Sequence, residues 1–402
     1  MRQQRIVAIS IFCLLLGTAN AQKTYPVTPQ QFEFCPEHAD ALYCFLPLFG
    51  FHQALNRGII FSLEESKTLR LNSLLGIETS TLALPSSAGG VSFVFDPVLG
   101  TLLPSRESLG PILSDRAETI GAHRLYVGFT YEHFGFESLD GIPLHQLNDV
   151  LARSVALRVD EFTTFLTYGL TKRIDVSAAF PVRTVHIAAT GIGFALNGNT
   201  VTEIPDSESA GSSGLSDITL RAKATLWQSE HGGVGIGLDV RTPTGQPLNL
   251  LGSGAFGAKP FLIGSWGKRF HRVYLGPHLN VGYQWNGSSL LGGPLLGEEG
   301  RLPRVFSYAV GTEVGIEKRT TITLDLIGQR LFNADRSYLF NQFNNPTSVM
   351  ITTRSINMKD GSVGAKVNPW RTLLLTGNLG VRLDRSGLRA RLIPLGGVSY
   401  SF

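Results

Sequence analysis

Beyond about residue 121, apolar and polar residues alternate along the chain with a period of two. That period sends successive side chains to opposite faces of an extended strand. Leu125, Val127, Phe129 and Tyr131 alternate with Tyr126, Gly128, Thr130 and Glu132. Ile218, Leu220, Ala222, Ala224 and Leu226 alternate with Asp217, Thr219, Arg221, Lys223 and Thr225. Val273, Leu275, Leu279, Val281, Tyr283 and Trp285 oppose His278, Asn280, Gln284 and Asn286, and Leu373, Leu375, Leu379 and Val381 oppose Thr376, Asn378 and Arg382. The last strand sets Val398, Tyr400 and Phe402 against Ser399 and Ser401. From His123 to Phe402 the pattern predicts twelve such strands.

The connections alternate in length. TKRI, QSEHGG, KRFHR, EKRT and NPWR are short, whereas 138–153, 189–214, 242–257, 287–303 and 333–348 are long. Short turns at one rim and long loops at the other are how outer-membrane barrels sit, with the short turns periplasmic. DRSG, 384–387, is the exception: a tight hairpin where parity predicts a long loop. The expected fold is therefore all-β, a transmembrane antiparallel barrel over residues 121–402. A further pair around Phe61 and residues 91–95 would bring twelve strands to fourteen.

Composition fits this reading. The chain is 43% hydrophobic but only 16% charged, against about 25% charged in an average soluble domain. Transmembrane helices are excluded, because no stretch after the first 21 residues holds roughly 20 apolar residues without charge. Trp227, Trp266 and Trp370 fall near short turns and Trp285 near a long loop, as interfacial aromatic belts require. Arg2 and Arg5, the apolar run from Ile6 to Gly17 and the Ala19-Asn20-Ala21 site predict a secretory leader over residues 1–21. The expected address is the bacterial outer membrane, with membrane lipid and the barrel assembly machinery as partners; a terminal outward Phe402 after Tyr400 is the signature such machinery reads. A net charge of +4 without a basic patch argues against nucleic acid.

Residues 22–120 lack the alternation and are expected to form a plug in the lumen or a periplasmic segment. In an oxidising compartment Cys35 and Cys44 predict a local disulfide rather than a metal site with His38. By parity the lumen wall includes Arg221, Lys223, Asp239, Arg241, His278, Asn280, Gln284, Glu313, Glu317, Asp325, Arg382, Arg389 and Arg391. Two uses of these charges are open: they pair across strands and brace the wall, or they line a polar path, with Arg221, Arg241 and Arg382 facing anionic groups. A twelve-stranded lumen is narrow or plugged. Enzymatic use is not expected. A nucleophile and its base must come within hydrogen-bond reach, and His278 has only the loop residues Ser288 and Ser289 nearby in sequence. No metal or other cofactor is called for.

GLSDITLRAKATL, GIGLDVRTPTGQPLNLLGSG, KPFLIGSW and PHLNVGYQWNGSS resemble the MetA-pathway phenol-degradation family of outer-membrane transporters. The most specific part is the D-x-T-L-R-x-K strand followed by L-D-x-R-x-P-T-G. The resemblance covers about residues 121–402. It implies passage of small hydrophobic or aromatic solutes in the manner of the long-chain fatty acid transporters, and it carries no catalytic residues. Those transporters have fourteen strands and an Asn-Pro-rich plug motif that this chain lacks. The alternatives to transport are a structural or surface-interaction barrel whose long outer loops bind a partner, and a lipid-acting enzyme.

Overall fold

The computed structural model describes residues 42, 44, 74–82, 93–96, 101–104, 108–146, 153–197, 200–293, 298–317, 319–342 and 345–402. The leader over 1–21 and Cys35, and with it the expected Cys35–Cys44 bridge, lie outside them; Cys44 itself is fully buried.

Twelve antiparallel strands close on themselves. They are β1 (Leu125–Leu139), β2 (Ser154–Gly169), β3 (Ile174–Asn197), β4 (Thr219–Gln228), β5 (Gly232–Arg241) and β6 (Gly257–Trp266). The ring continues with β7 (Val273–Asn286), β8 (Arg304–Ile316), β9 (Thr320–Gln342), β10 (Asn345–Trp370), β11 (Leu373–Arg382) and β12 (Leu392–Ser401). Each strand pairs with its sequence neighbours, and β12 returns to β1 in register from Leu395 opposite Glu132 to Ser401 opposite Tyr126. Two further backbone bonds fasten this seam, Phe402 N to Leu125 O at 2.8 Å and Leu125 N to Phe402 O at 3.4 Å. Closure leaves no edge, so every strand finds partners on both sides. The fourteen-strand alternative does not hold among the described residues. Phe93–Asp96 pairs only with Thr101–Pro104, as a separate hairpin, and Phe61 lies outside the description.

Two segments read as long loops are strands instead. β3 runs to Asn197 and pairs with Thr200–Leu215 residue by residue, and β9 and β10 continue past the barrel wall to Gln342 and Asn345. The cause is local. A hairpin satisfies its own backbone groups, so these segments can extend as paired strands beyond the ring. At 384–387 the tight turn is real, and Leu388–Ala390 then pairs with β1 through a register shift before β12 begins.

The outer wall carries the predicted apolar belt. Phe129, Phe162, Val182, Ile236, Leu262, Leu279, Leu324, Val363 and Leu375 all stand exposed on it. Trp227, Trp266 and Trp370 lie at the strand ends of the short-turn rim and Trp285 at the opposite rim. Such a belt flanked by aromatic rings is what a hydrocarbon-facing wall presents.

On β1 to β3 the polarity of the faces inverts part-way up. Tyr131, Phe162 and Val182 form one outward row across the three strands. Above them the outward residues turn polar, with His133 and Tyr131 both bonded to Asp160 and Thr184 bonded to Ser213. The inward face does the reverse. Glu132, Glu161 and Arg183 form a row at the level of the change, and above it Phe134, Val159 and Val185 are buried inside.

A charge placed on the belt tests its position. Leu262→Arg should destabilise the barrel in lipid vesicles by about 2–4 kcal/mol, the cost of Arg near a bilayer midplane. His186→Arg, outward but above the belt, should change stability by less than about 0.5 kcal/mol, as a surface substitution does. Denaturant titration in vesicles reads both, and equal effects would remove the belt from this height.

Candidate functional site: the closed lumen

Residues 108–121 cross the lumen from wall to wall. Ser108 Oγ donates to Glu313 on β8 at 2.9 Å, and Leu109 N donates to Thr321 Oγ1 on β9 at 2.8 Å. Lys366 on β10 donates to Pro111 O at 2.6 Å. Asp115 N donates to Asn280 on β7 at 2.6 Å, and Arg221 on β4 pairs with the Asp115 carboxylate. Arg116 Nε reaches Glu313 Oε1 at 2.6 Å, and both side chains are buried. Thr225 Oγ1 donates to Ala117 O at 2.6 Å, and Lys223 donates to Glu118 O at 2.8 Å. The strap leaves where Ile120 N donates to Asp175 on β3 at 2.9 Å. Buried charges persist only when paired and hydrogen-bonded, and this strap supplies partners that the wall alone does not.

The D-x-T-L-R-x-K strand and its hairpin are thereby given structural tasks. Arg221 also binds Asp239 of β5 through Nε at 2.6 Å and Nη2 at 2.8 Å, and Lys259 reaches Asp239 at 2.9 Å. Asp217 accepts from Gly245 N at 3.0 Å and from Ser253 N at 2.7 Å, folding residues 242–256 inward over the mouth. The glycine run of β5 matches the strap. An added Cβ on Gly233 would meet the Ala117 side chain at 3.2 Å, and one on Gly235 would meet the Ala117 backbone at 3.3 Å. Glycine on alternate inward positions lets two backbones approach closely.

A second inner element closes the lumen from the long-loop side. Residues 74–80 form about two helical turns, with Leu74, Leu75 and Ile77 buried against Leu250, Leu251 and Leu291 of the infolded loops and against the inverted apolar wall. Its terminal carbonyls face two arginines: Arg183 Nη1 donates to Thr79 O at 3.0 Å and Arg241 Nη1 to Ser80 O at 2.9 Å. The last carbonyls of a helix have no partner within it and carry partial negative charge, so cations at this end are well placed. Glu78 accepts from the backbone N–H of Leu388.

Between the strap and this turn lies a chamber of two lobes that share Thr81, Leu82, Leu113, Ile327 and Gln329. The polar lobe, about 180 Å³, is lined by Arg183, Arg221, Arg241, Lys259, Asp217 and Asp239 among others. The other lobe, about 100 Å³, is lined by Phe134, Phe136, Met358 and Ile393, with Glu78, Glu132, Asp360 and Arg389.

The residues picked from parity are thus divided. Arg221, Asp239, Arg241, Asn280 and Gln284 line the polar lobe. Lys223, Glu313 and Asp325 are inward and buried, committed to the strap or to the wall. His278 Nε2 bonds Asp325 at 2.6 Å with both side chains fully buried; Ser114 bonds that carboxylate at 3.5 Å rather than the imidazole, and Ser289 Oγ accepts from Leu291 N. This is a bonded wall residue. Arg382 sits at the long-loop rim on Ser138 Oγ at 2.9 Å, away from both lobes. Glu317 occupies a turn with φ 51°, and Arg391 lies exposed at the bend before β12, so strand parity does not apply to either. Arg389 is inward, on Asp360. Parity set Glu132 on the inward face, as the structure has it, but missed Glu161, Arg183 and Lys259, whose stretches are interrupted by proline or by the polarity inversion. The pairs they form were carried only by ladder register.

Breaking the strap's ion pair should loosen it. Arg116→Ala or Glu313→Gln alone leaves a buried charge or its polar partner stranded and should cost about 3–5 kcal/mol. The double replacement Arg116→Met with Glu313→Leu should cost less than either single change, because no charge is left unpaired. Denaturant titration gives the ranking, and hydrogen exchange over 108–121 should rise in the single variants. A double variant worse than both singles would refute the pairing.

No family model matches the chain, and no curated protein matches it. Among solved structures it is similar to the COG4313 outer membrane channel from Pseudomonas putida F1, at 14% identity over 71% of this chain and 98% of that one, with a TM-score of 0.49. It is also similar to the NanC porin, at 11% identity over 69% and 98% with a TM-score of 0.39. A third is a Pseudomonas aeruginosa FadL homologue, at 9% identity over 70% and 89% with a TM-score of 0.30. These neighbours are outer-membrane barrel proteins; likenesses of this size carry no function from them to this chain.

Proposed function

We propose that this protein is an outer-membrane channel for small apolar or aromatic solutes, plugged by its own N-terminal segment. The chamber carries this reading. A path for solutes requires a recess between the two inner elements, and the lobe lined by Phe134, Phe136, Met358 and Ile393 gives that recess apolar surface. The apolar belt and the predicted leader support an outer-membrane address, and the sequence resemblance to the MetA-pathway transporters supports the solute class. The buried His278–Asp325 pair, sealed beneath the strap, gives no reason to assign an enzyme.

Planar-bilayer recording tests the channel. The full chain should conduct weakly, and the chain lacking residues 22–120 should conduct at least severalfold more. Benzyl alcohol added to one side should lower the ionic current of the full chain by occupying the chamber, with a smaller effect from a sugar of similar size. Absence of conductance from both proteins would overturn the channel reading.

A further inference from the structure

We propose that the apolar lobe of the chamber binds an organic ammonium ion: a primary amine, protonated, on an aromatic or aliphatic body. This rests on the chamber being the solute site and names the chemistry that site selects.

The inference begins with a charge count along one row of the wall. Glu132 on β1, Glu161 on β2 and Arg183 on β3 are adjacent in register, all inward and all buried. Arg183 is fully engaged. Its Nε and Nη2 donate to Glu161 Oε2 at 2.8 and 2.5 Å, and its Nη1 donates to Thr79 O. Two carboxyl groups thus share one guanidinium, whose Nε and Nη2 are taken by Glu161 and whose Nη1 is taken by Thr79 O. On its other side Glu132 faces Leu395 of β12, which offers no charge.

Glu132 is only 4% exposed, makes no hydrogen bond to the described residues, and opens onto the apolar lobe. The remaining charges of that lobe have partners. Asp360 is held by Arg389, and Glu78 accepts the Leu388 N–H. A buried carboxylate without a donor is costly, and a cation entering the lobe would supply both the donor and the counter-charge.

The lobe's shape says what else the cation carries. Glu132 lies at the level where the inner wall changes from polar to apolar, and the surface beyond it is Phe134, Phe136, Met358, Ile393, Leu82 and Leu113. Phe134 and Phe136 stack with ring centroids 6.1 Å apart. A small inorganic cation would leave this surface uncovered. An anion would meet Glu132 unshielded, because the cations of the polar lobe are spent on Asp115, Asp217, Asp239 and Glu161.

Equilibrium dialysis of the purified full chain against three ligands of one shape decides the matter: phenethylammonium, 2-phenylethanol and phenylacetate. Phenethylammonium should bind at least about tenfold tighter than the alcohol, a factor equal to 1.4 kcal/mol and within reach of one hydrogen bond to a charged group. Phenylacetate should bind most weakly. Glu132→Gln should lower the ammonium to the level that the alcohol shows with the unmodified protein, and an unchanged far-UV circular dichroism spectrum checks that the variant is folded. Equal binding of ammonium and alcohol by the unmodified protein, or a preference that survives Glu132→Gln, would overturn the ammonium assignment while leaving the solute site standing. Failure of all three ligands to bind would overturn the site itself.

Discussion

Everything in this molecule depends on closing one hydrogen-bonded ring. A strand in hydrocarbon cannot leave backbone groups unpaired, and the seam between β1 and β12 is where the ring is completed. Once it closes, the outside must be apolar and the inside must be packed, bonded or wet. The two rims then differ for a local reason: short turns end the strands at one, while the other has room for infolded loops and projecting hairpins.

Closure creates the second problem, an interior rich in charge. The chain answers it with its own earlier residues rather than with wall-to-wall pairing alone. Arg221 shows the division: one side of its guanidinium holds Asp239 on the neighbouring strand and the other holds Asp115 of the strap. Lys223 and Lys366 donate to strap carbonyls. Wall and strap are thus one bonded body in the half of the barrel nearer the short turns. In the other half apolar contacts dominate, and the inner helix is held among the described residues by its carbonyls on Arg183 and Arg241 and by its Glu78 on Leu388 N. That difference makes the strap the stiffer of the two closures, and it leaves the chamber bounded by an ionic floor and a greasy ceiling.

The strand count and the outward faces were readable in the residues because a period of two is a local property. Leu262 or Val363 declares its side by its neighbours alone. Lumen charges within the regular strands were readable for the same reason, and Arg221, Lys223, Asp239, His278 and Glu313 are all inward. Parity failed where strands do. Glu317 sits in a left-handed turn and Arg391 at a bend after a register shift, so each lost the face that counting had assigned it. Glycines 233 and 235 show no task in the sequence, and only the structure reveals their spacing as the footprint of Ala117.

The sequence by itself determined a twelve-stranded barrel, its apolar exterior and the division into a short-turn rim and a long-connection rim, since alternation and turn length act between near neighbours. Only the tertiary structure decided what the interior does. Whether Phe134 and Val185 face water or a buried helix depends on residues more than fifty positions away, and Glu132 is left without a hydrogen bond to the described residues because register sets it beside Glu161, which takes Nε and Nη2 of Arg183. Those are relations between distant segments, and no pattern along the chain encodes them.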